Sequence, residues 1–281
     1  MKIGAVMFFT TDSMRPAPLA MELEKRGFES LWVPEHTHIP SSRKTAYPAG
    51  GGLIRPYYDI MDPFLVLNAA ATVTTKLKVG TGIALIVQRD PIVTAKEVAS
   101  LDFLSNGRFI FGIGGGWNAE EMEHHGTVFK SRWKKMREQI TAMKKIWAED
   151  EPEFHGEFVN FDKLWSWPKP VQKPHPPILL GGHSPQMLKR VVDYCDGWMP
   201  IGARAGQFEE SLAELRRLAE EKGRDPKTVS VTIFGAPADE ERLQRYQELG
   251  VERVAFGLPS ADKDAVLPLM DRYAEVVRKL G

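Results

Sequence analysis

The sequence predicts a (β/α)8 barrel, and three observations lead to this fold class. Short β-type runs alternate with longer amphipathic helical patterns along the 281 residues, and each pattern occurs eight times. Several of the short runs are almost continuously apolar, as expected for parallel strands buried on both faces. The turn after the first run, Phe9–Met14, contains no glycine, which disfavours the alternative of a doubly wound open sheet with a glycine-rich first turn.

The predicted strands are short runs bounded by turn residues. Eight strands, each followed by a helix, is the number that closes a parallel barrel. A length of 281 residues suits one such domain, so we expect residues 1–281 to form it. The strands are expected at Lys2–Phe8, Ser30–Pro34, Lys78–Ile83, Arg108–Ile113, Ile178–Leu180, Gly197–Pro200, Val229–Ile233 and Arg253–Phe256.

The helices between these strands show start and stop signals. Asp62 stands where a helix N-cap is expected, and Asn106 and Gly107 follow the end of a helix. Ser184 and Pro185 form another start, because serine caps a helix and proline suits its first position. The helices are expected at Pro16–Lys25, Pro63–Thr74, Ile92–Leu104, Arg132–Glu149, Pro185–Tyr194, Gln207–Lys222, Asp239–Leu249 and Ala261–Leu280.

Two stretches exceed what a minimal barrel needs. The first insertion, about residues 35–59, follows the second strand and is rich in proline, glycine and tyrosine. The second insertion, about residues 151–177, precedes the fifth strand. Within it, Phe154–Phe161 alternates around a turn like a small hairpin, and a proline-rich connector follows. Long loops in compact domains are commonly functional lids, and the aromatic residues indicate that both insertions are ordered.

The composition excludes several classes of partner. The 37 basic and 37 acidic residues balance, so no global field favours nucleic acid or a membrane surface. No apolar stretch is long enough for a transmembrane helix, and the amino terminus lacks a signal-peptide pattern. The single cysteine, Cys195, excludes an internal disulfide and is expected in the core. These features predict an unexported protein in a reducing cytoplasm.

In a barrel of this kind, functional groups gather where strands end, and the second strand ends in Glu35 and His36. A carboxylate beside an imidazole can serve general acid–base chemistry, because histidine titrates near neutral pH. His36 and His38 are also possible metal ligands, but only His183 offers a further ligand at another strand end, so no metal site is expected. The alternative is a loop whose polar side chains face water.

Glycines mark three further strand ends. Gly82 suits either a bulge beneath a flat ligand or the taper of the barrel. After the fourth strand a glycine cluster frees the backbone for close approach, and Trp117 supplies an apolar wall; a structural turn is equally compatible. After the fifth strand, Gly181 and Gly182 precede a helix start, where N–H groups and the helix dipole favour a phosphate. A well-capped helix alone is the alternative there.

Several segments in a fixed order over roughly residues 1–200 carry a family pattern. They are Leu31–His36, Leu77–Ile83, Leu101–Arg108, Gly112–Glu121, Pro168–Gln172, Pro176–Ile178, Gly181–Pro185 and Asp196–Trp198. Together they resemble the bacterial luciferase-like monooxygenase superfamily, in particular its branch that depends on a deazaflavin, coenzyme F420. The remainder of the chain completes the barrel without a distinctive motif.

The resemblance implies that a tricyclic ring lies across the barrel mouth, with F420 as the cofactor and FMN as the alternative. It implies a cis peptide bond between Gly82 and Ile83 behind the ring. Glu35 and His36 match the position of an acid–base pair near the reactive ring carbon, although many relatives have aspartate at position 35. The implied cofactor-binding residues are Gly82, Ile83, Trp117, Gly181, Gly182, His183 and Ser184.

The function so predicted is hydride transfer between the deazaflavin and a small organic substrate beneath the two insertions. An FMN-dependent monooxygenase is the second hypothesis, and in either case a flavin or F420 reductase is a possible partner that supplies reduced cofactor. A non-catalytic flavin-binding barrel is the third. Arg43, Lys44 and Arg55 are candidates to meet the acidic tail of the deazaflavin, or are solvated surface charges. The resemblance also suggests a homodimer.

Overall fold

Eight parallel strands form a closed barrel in the computed structural model, which describes residues 1–48, 50–202 and 207–280. The barrel strands follow one another in chain order, and the last pairs with the first. They are β1 (Lys2–Val6), β2 (Ser30–Val33), β3 (Lys78–Thr81), β4 (Phe109–Ile113), β7 (Ile178–Gly181), β8 (Gly197–Met199), β9 (Ser230–Ala236) and β10 (Arg253–Gly257). A separate antiparallel hairpin consists of β5 (Phe154–His155) and β6 (Asn160–Phe161). The predicted (β/α)8 barrel and the predicted hairpin are confirmed.

Helices connect successive barrel strands and cover the outside of the barrel. They are α1 (Pro16–Lys25), α2 (Pro56–Asp59), α3 (Pro63–Ala71), α4 (Pro91–Leu104), α5 (Ala119–His124), α6 (Arg132–Ala148), α7 (Pro185–Tyr194), α8 (Gln207–Glu221), α9 (Glu240–Glu248) and α10 (Lys263–Leu280). The side chains of Asp62 and Ser184 accept backbone hydrogen bonds at the starts of α3 and α7, so both predicted N-caps are confirmed. Within the described ranges, no helix combines the length and the apolar character that crossing a membrane requires.

The apolar residues pack in two layers. Inside the barrel, a small cluster fills the interior, as the interior of an eight-stranded barrel requires. Its buried members are Val6, Trp32, Ile110, Leu179, Met199 and Ala255. A larger cluster lies between the strands and the surrounding helices. Because successive strand residues point to opposite faces, both layers need apolar residues, and this explains the nearly continuous apolar runs in the sequence.

Several predicted strands are longer than the observed ones. β1 ends at Val6 and not at Phe8, and β3 ends at Thr81 and not at Ile83. Beyond these ends, Phe8 and Ile83 line the mouth of the barrel, whereas Met7 is buried in the larger cluster. Apolar character is the same for a buried strand and for the wall of a cavity, so the pattern alone does not show where the ladder stops.

Two short helices were not predicted, α2 in the first insertion and α5 after the glycine cluster. α5 begins after Asn118, whose side chain accepts a hydrogen bond from the backbone N–H of Glu121 at 3.1 Å. Its six residues are mostly polar, so they lack the apolar periodicity that identifies a helix in a sequence. α5 nevertheless forms hydrogen bonds with the first insertion through Glu120 and Glu121.

Candidate active site

A cavity of about 390 Å³ opens at the carboxyl ends of the barrel strands. In (β/α)8 barrels this face carries the functional site, because the loops that follow the strands converge there. Most of the wall is aromatic, aliphatic or glycine backbone. Besides residues predicted from the sequence, the wall contains Phe8, Pro34, Pro48, Tyr57, Leu85, Gly114, Gly115, Gly116, Trp133, Met187, Ile201 and Phe234.

The structure brings most of the predicted site residues together around this cavity. Its lining includes Glu35, His36, Gly82, Ile83, Trp117, Gly181 and Gly182. His183 and Ser184 follow Gly182 directly but stand outside the lining. Pro48 and Tyr57 come from the first insertion, so this insertion forms part of the wall as well as flanking it.

His36 is paired with a carboxylate that the sequence analysis did not identify. Its Nδ1 lies 2.8 Å from Oε2 of Glu121, and both side chains are buried, with exposed fractions of 6% and 1%. Nδ1 would be the donor to an ionised carboxylate, because such a carboxylate can only accept hydrogen bonds. This contact leaves Nε2 as the other ring nitrogen of a residue that lines the cavity.

Glu35 lies beside His36 in the sequence but is held in a different network. Its carboxylate accepts hydrogen bonds from the backbone N–H of Leu85 at 2.6 Å and from Nε of Arg89 at 2.7 Å. Arg89 also pairs with Asp62 and Glu97. Burial lowers the pKa of Arg89, but these three carboxylates, Glu35 foremost, outweigh it and raise that pKa above its usual range. Glu35 thus holds the loop after β3 in place.

The floor of the cavity is formed by Gly82 and Ile83, which follow β3. The peptide bond between Gly82 and Ile83 is cis, as the resemblance implied. The Ile83 side chain lies against two glycines: an added Cβ at Gly114 would be 2.3 Å from Ile83 Cδ1, and one at Gly181 would be 3.1 Å from Ile83 Cγ2. Glycine at these positions therefore lets Ile83 and the backbone form a flat, apolar floor.

The turn between β7 and α7 exposes backbone donors beside this floor. Gly182 has a φ of +134°, a conformation that residues with a side chain rarely adopt. Among the described residues, the backbone N–H groups of His183 and Ser184 have no hydrogen-bond partner. The His183 side chain accepts a hydrogen bond from the backbone N–H of Ile201 at 3.0 Å, and this bond joins the turn to the loop after β8.

Two arginines lie against a tryptophan of the cavity wall. The guanidinium carbons of Arg132 and Arg190 are 4.8 Å and 4.7 Å from the centre of the Trp133 ring. Burial, followed by the positive charge of Arg190, lowers the pKa of Arg132. The Nε of Arg132 is buried without a partner in the described part of the chain. Neither arginine has a salt bridge to another described residue, so this corner is suitable for an anion.

An aromatic cluster surrounds the His36 ring. The centre of that ring is 5.3 Å from the centre of Tyr57 and 5.8 Å from that of Trp117. Phe8 and Tyr47 extend the cluster through Tyr57, at 5.2 Å and 5.1 Å. Burial, aided by a hydrogen bond with Tyr47, raises the pKa of the Tyr57 hydroxyl well above its usual range, so this hydroxyl stays protonated. The cluster keeps the imidazole away from bulk water.

α5 holds the first insertion through a carboxylate. Glu120 accepts hydrogen bonds from the backbone N–H groups of Lys44 and Thr45 and from the Thr45 hydroxyl, the last at 2.6 Å. The Thr45 hydroxyl, together with the Lys44 N–H, lowers the pKa of Glu120 to about 2. The carboxylate is therefore ionised at neutral pH and keeps accepting these hydrogen bonds.

The end of α5 holds the insertion through imidazoles. His38 Nε2 and His124 Nδ1 are 2.9 Å apart, with ring planes only 3° apart and ring centres separated by 5.1 Å. Such coplanar rings share one N–H···N hydrogen bond. The Thr37 hydroxyl connects His38 Nδ1 to His125 Nε2, at 3.0 Å and 2.8 Å. Burial, together with the neighbouring His38, lowers the pKa of His125.

The residues that sequence reasoning missed are Glu121, Arg89, Arg132 and Trp133. Glu121 stands inside a segment that the family pattern covers, but nothing local shows that it meets His36, which lies 85 positions away. No group of three or more His, Cys, Asp or Glu residues suited to a metal ion occurs in ranges 1–48, 50–202 and 207–280. Cys195 is buried, as expected, and burial raises the pKa of its thiol.

Comparison with known proteins finds relatives of this chain. An uncharacterized protein of Mycobacterium tuberculosis H37Rv is 38% identical over 280 residues, which cover 98% of each chain. A solved F420-dependent secondary alcohol dehydrogenase in complex with an F420–acetone adduct superposes with a TM-score of 0.76 at 19% identity, covering 100% of this chain and 98% of that one.

A second solved structure is the oxygenating constituent of 3,6-diketocamphane monooxygenase from the CAM plasmid of Pseudomonas putida, in complex with FMN. It superposes with a TM-score of 0.68 at 18% identity, over 88% of this chain and 70% of that one. At such identities the two structures share the fold. The luciferase-like monooxygenase family model matches residues 15–276. The chain is therefore an oxidoreductase that belongs to the luciferase-like monooxygenase family.

Proposed function

We propose that the protein uses coenzyme F420 to exchange a hydride with a small organic substrate. The observation that carries this proposal is a cavity with a flat apolar floor and a buried imidazole, beside a turn whose backbone donors have no partner among the described residues. A deazaflavin has matching parts: a tricyclic ring, a phosphate and a reactive carbon beside which a proton must move. The solved F420-dependent alcohol dehydrogenase, which shares the fold over almost the whole of both chains, supports F420 as the first choice.

The phosphate is proposed to bind at the turn that precedes α7. The N–H groups of His183 and Ser184 are free in the described residues, and the N-terminus of α7 favours a negative charge. Arg132 and Arg190 add positive charge near Trp133. The two backbone N–H groups and Arg132 Nε lack partners within the described part of the protein, and such donors suit a phosphate.

The acidic tail of F420 needs cations outside the cavity. Of the three predicted candidates, Arg55 is paired with Asp12 and Asp59, at 2.9 Å and 3.0 Å. Arg43 has a buried Nε that lacks a partner within the described residues. Lys44 has no salt bridge among the described residues, so we retain Arg43 and Lys44 as candidates for the tail.

The ring is proposed to lie on the floor formed by Gly82 and Ile83, beside the Trp117 wall. When bound, the deazaflavin would supply the hydride donor or acceptor; the protein supplies position, a proton and the exclusion of water. His36 would hold or accept a proton at Nε2, next to the substrate oxygen. Glu35 would act as a positioning residue, because its carboxylate already binds Leu85 and Arg89. The aromatic cluster would exclude water from the reacting groups.

Cofactor titration tests this proposal directly. We expect F420 to bind at least about tenfold more tightly than FMN, a difference of about 1.4 kcal/mol, with neither attached covalently. Trp117 and Trp133 line the cavity, so quenching of tryptophan fluorescence reports binding. Trp165 is 80% exposed and outside the lining, and Trp165→Phe is the matched control that should leave the quenching unchanged.

Equal or reversed affinities would favour the FMN-dependent monooxygenase, with reduced flavin supplied by a reductase. Binding of neither cofactor would contradict both enzymatic hypotheses. Tight binding of F420 without turnover of any alcohol, aldehyde or ketone would favour the non-catalytic flavin-binding barrel.

We also propose a homodimer that forms through α4. Val93 and Leu104 are separated by eleven residues, about three helical turns, so they lie on one face of α4, and they are 56% and 58% exposed. Phe103 beside them and Leu65 on α3 are 58% and 74% exposed. The opposite face of α4 is buried in the core. A second copy of the chain would cover these exposed apolar side chains.

Sedimentation tests the association. We expect the protein to sediment at twice the chain mass of 31.6 kDa at micromolar concentration, and Phe103→Glu to yield monomers because a charge would enter the apolar interface. Val128→Glu is the control, since Val128 is 64% exposed but lies outside α3 and α4. A wild-type protein that sediments only as a monomer would refute the proposal.

A further inference from the structure

The contact between Glu121 and His36 has features that a surface ion pair lacks. Both side chains are almost fully buried, and the carboxylate Oε2 lies 2.8 Å from the imidazole Nδ1. The other carboxylate oxygen, Oε1, is buried and has no hydrogen-bond partner within the described ranges. Among the described residues, His36 is therefore the hydrogen-bond partner of this carboxylate. A buried carboxylate that loses such a partner is strongly destabilising.

Glu121 does not line the cavity, whereas His36 does. The backbone of Glu121 is fixed by Asn118, which caps α5 and accepts the Glu121 N–H. His36 is fixed by the end of β2 and by ring contacts with Tyr57 and Trp117. Contacts on both partners thus hold the pair together, and the carboxylate stands outside the lining of the cavity.

We propose that Glu121 is the positioning residue that fixes the tautomer and the orientation of His36. With the Nδ1 proton donated to Glu121, Nε2 is the nitrogen that gains or loses a proton at the cavity. The negative carboxylate also balances the imidazolium that forms when Nε2 takes a proton from the substrate. This inference rests on the proposed proton-transfer role of His36, but the state of the ring can be measured without any cofactor.

The test is ¹⁵N NMR of protein labelled at its seven histidines. The His36 signals are assigned by their loss in His36→Gln. In the wild type at a pH where His36 is neutral, we expect a protonated Nδ1 and an unprotonated Nε2. In Glu121→Leu, we expect the ring to become a mixture of both tautomers, because its partner is gone. Glu120→Gln is the matched control on the same helix, since Glu120 binds Lys44 and Thr45 and should leave the His36 signals unchanged.

A wild-type ring protonated on Nε2, or a Glu121→Leu ring that keeps the wild-type tautomer, would overturn the inference. If Glu121→Leu does not fold, Glu121→Gln preserves the volume and should still mix the tautomers, because its amide can either donate or accept. With F420 and a substrate, Glu121→Leu should lower turnover by up to the factor of about 10²–10⁴ expected for losing an acid–base group, with cofactor affinity unchanged. Wild-type protein that shows the expected tautomer but no F420 binding would instead reject the proposed function alone.

Discussion

Replacing His36 with alanine is expected to lower turnover by about 10²–10⁴-fold, roughly 3–5 kcal/mol of barrier, while cofactor affinity changes little. The reason is that His36 lines the cavity on whose floor the ring is proposed to lie, and its Nε2 is the atom proposed to move the proton. Single-turnover rates with saturating F420, measured beside the equilibrium affinity, separate the two effects. His155→Ala is the control, because His155 lies on the exposed hairpin away from the cavity.

A loss of cofactor affinity at an unchanged rate would contradict this role of His36. If His36 only packs against the ring, affinity will drop and the rate in the saturated complex will hold. His36 would then be part of the aromatic cluster with Tyr57 and Trp117 and would take no part in the chemistry.

Gly182→Val is expected to weaken cofactor binding by at least about 10- to 100-fold, the loss of one hydrogen bond to a charged group, about 1.5–3 kcal/mol. Valine cannot readily adopt the φ of +134° at this position, and its Cβ would lie 2.7 Å from Met187 Cε, so the turn that presents the N–H groups must shift. Ser184→Ala should have a smaller effect, about 1 kcal/mol from the lost cap. Fluorescence titration measures the affinity, and thermal unfolding checks that the barrel persists.

The matched control for Gly182→Val is Gly223→Val. Gly223 follows α8 with a φ of +67°, and an added Cβ there meets no atom within 4 Å. This variant carries a backbone penalty of the same kind far from the cavity and should bind F420 normally. Normal binding in Gly182→Val as well would place the phosphate elsewhere.

The barrel was predictable from the sequence because its signals are local. Apolar runs, helix caps such as Asp62 and Ser184, and turn glycines depend on neighbours a few residues away. The ends of β1 and β3 were less predictable, since the residues beyond Val6 and Thr81 stay apolar while they become cavity wall.

The candidate site was predictable only at its strand ends. Glu35 and His36 are adjacent and looked like one acid–base pair, but consecutive residues at a strand end point in different directions. Glu35 meets Arg89, 54 positions away, and His36 meets Glu121, 85 positions away. Such partners are set by the pairing of β2 with β3 and of β3 with β4, which brings the loops after these strands together. Their pairing needs three-dimensional coordinates.

The ties between the first insertion and α5 bear on how this barrel can be redesigned. Residues 36–45 and 118–125 are joined by the Glu121 and Glu120 carboxylates and by the hydrogen bond between His38 and His124. A chimera that received a foreign loop at positions 36–45 alone would leave these groups without their complements. Transplanting a substrate preference between such barrels therefore requires exchanging the two stretches as one cassette. The residues that form this part of the wall lie in two separate stretches of the sequence, although they are contiguous in space.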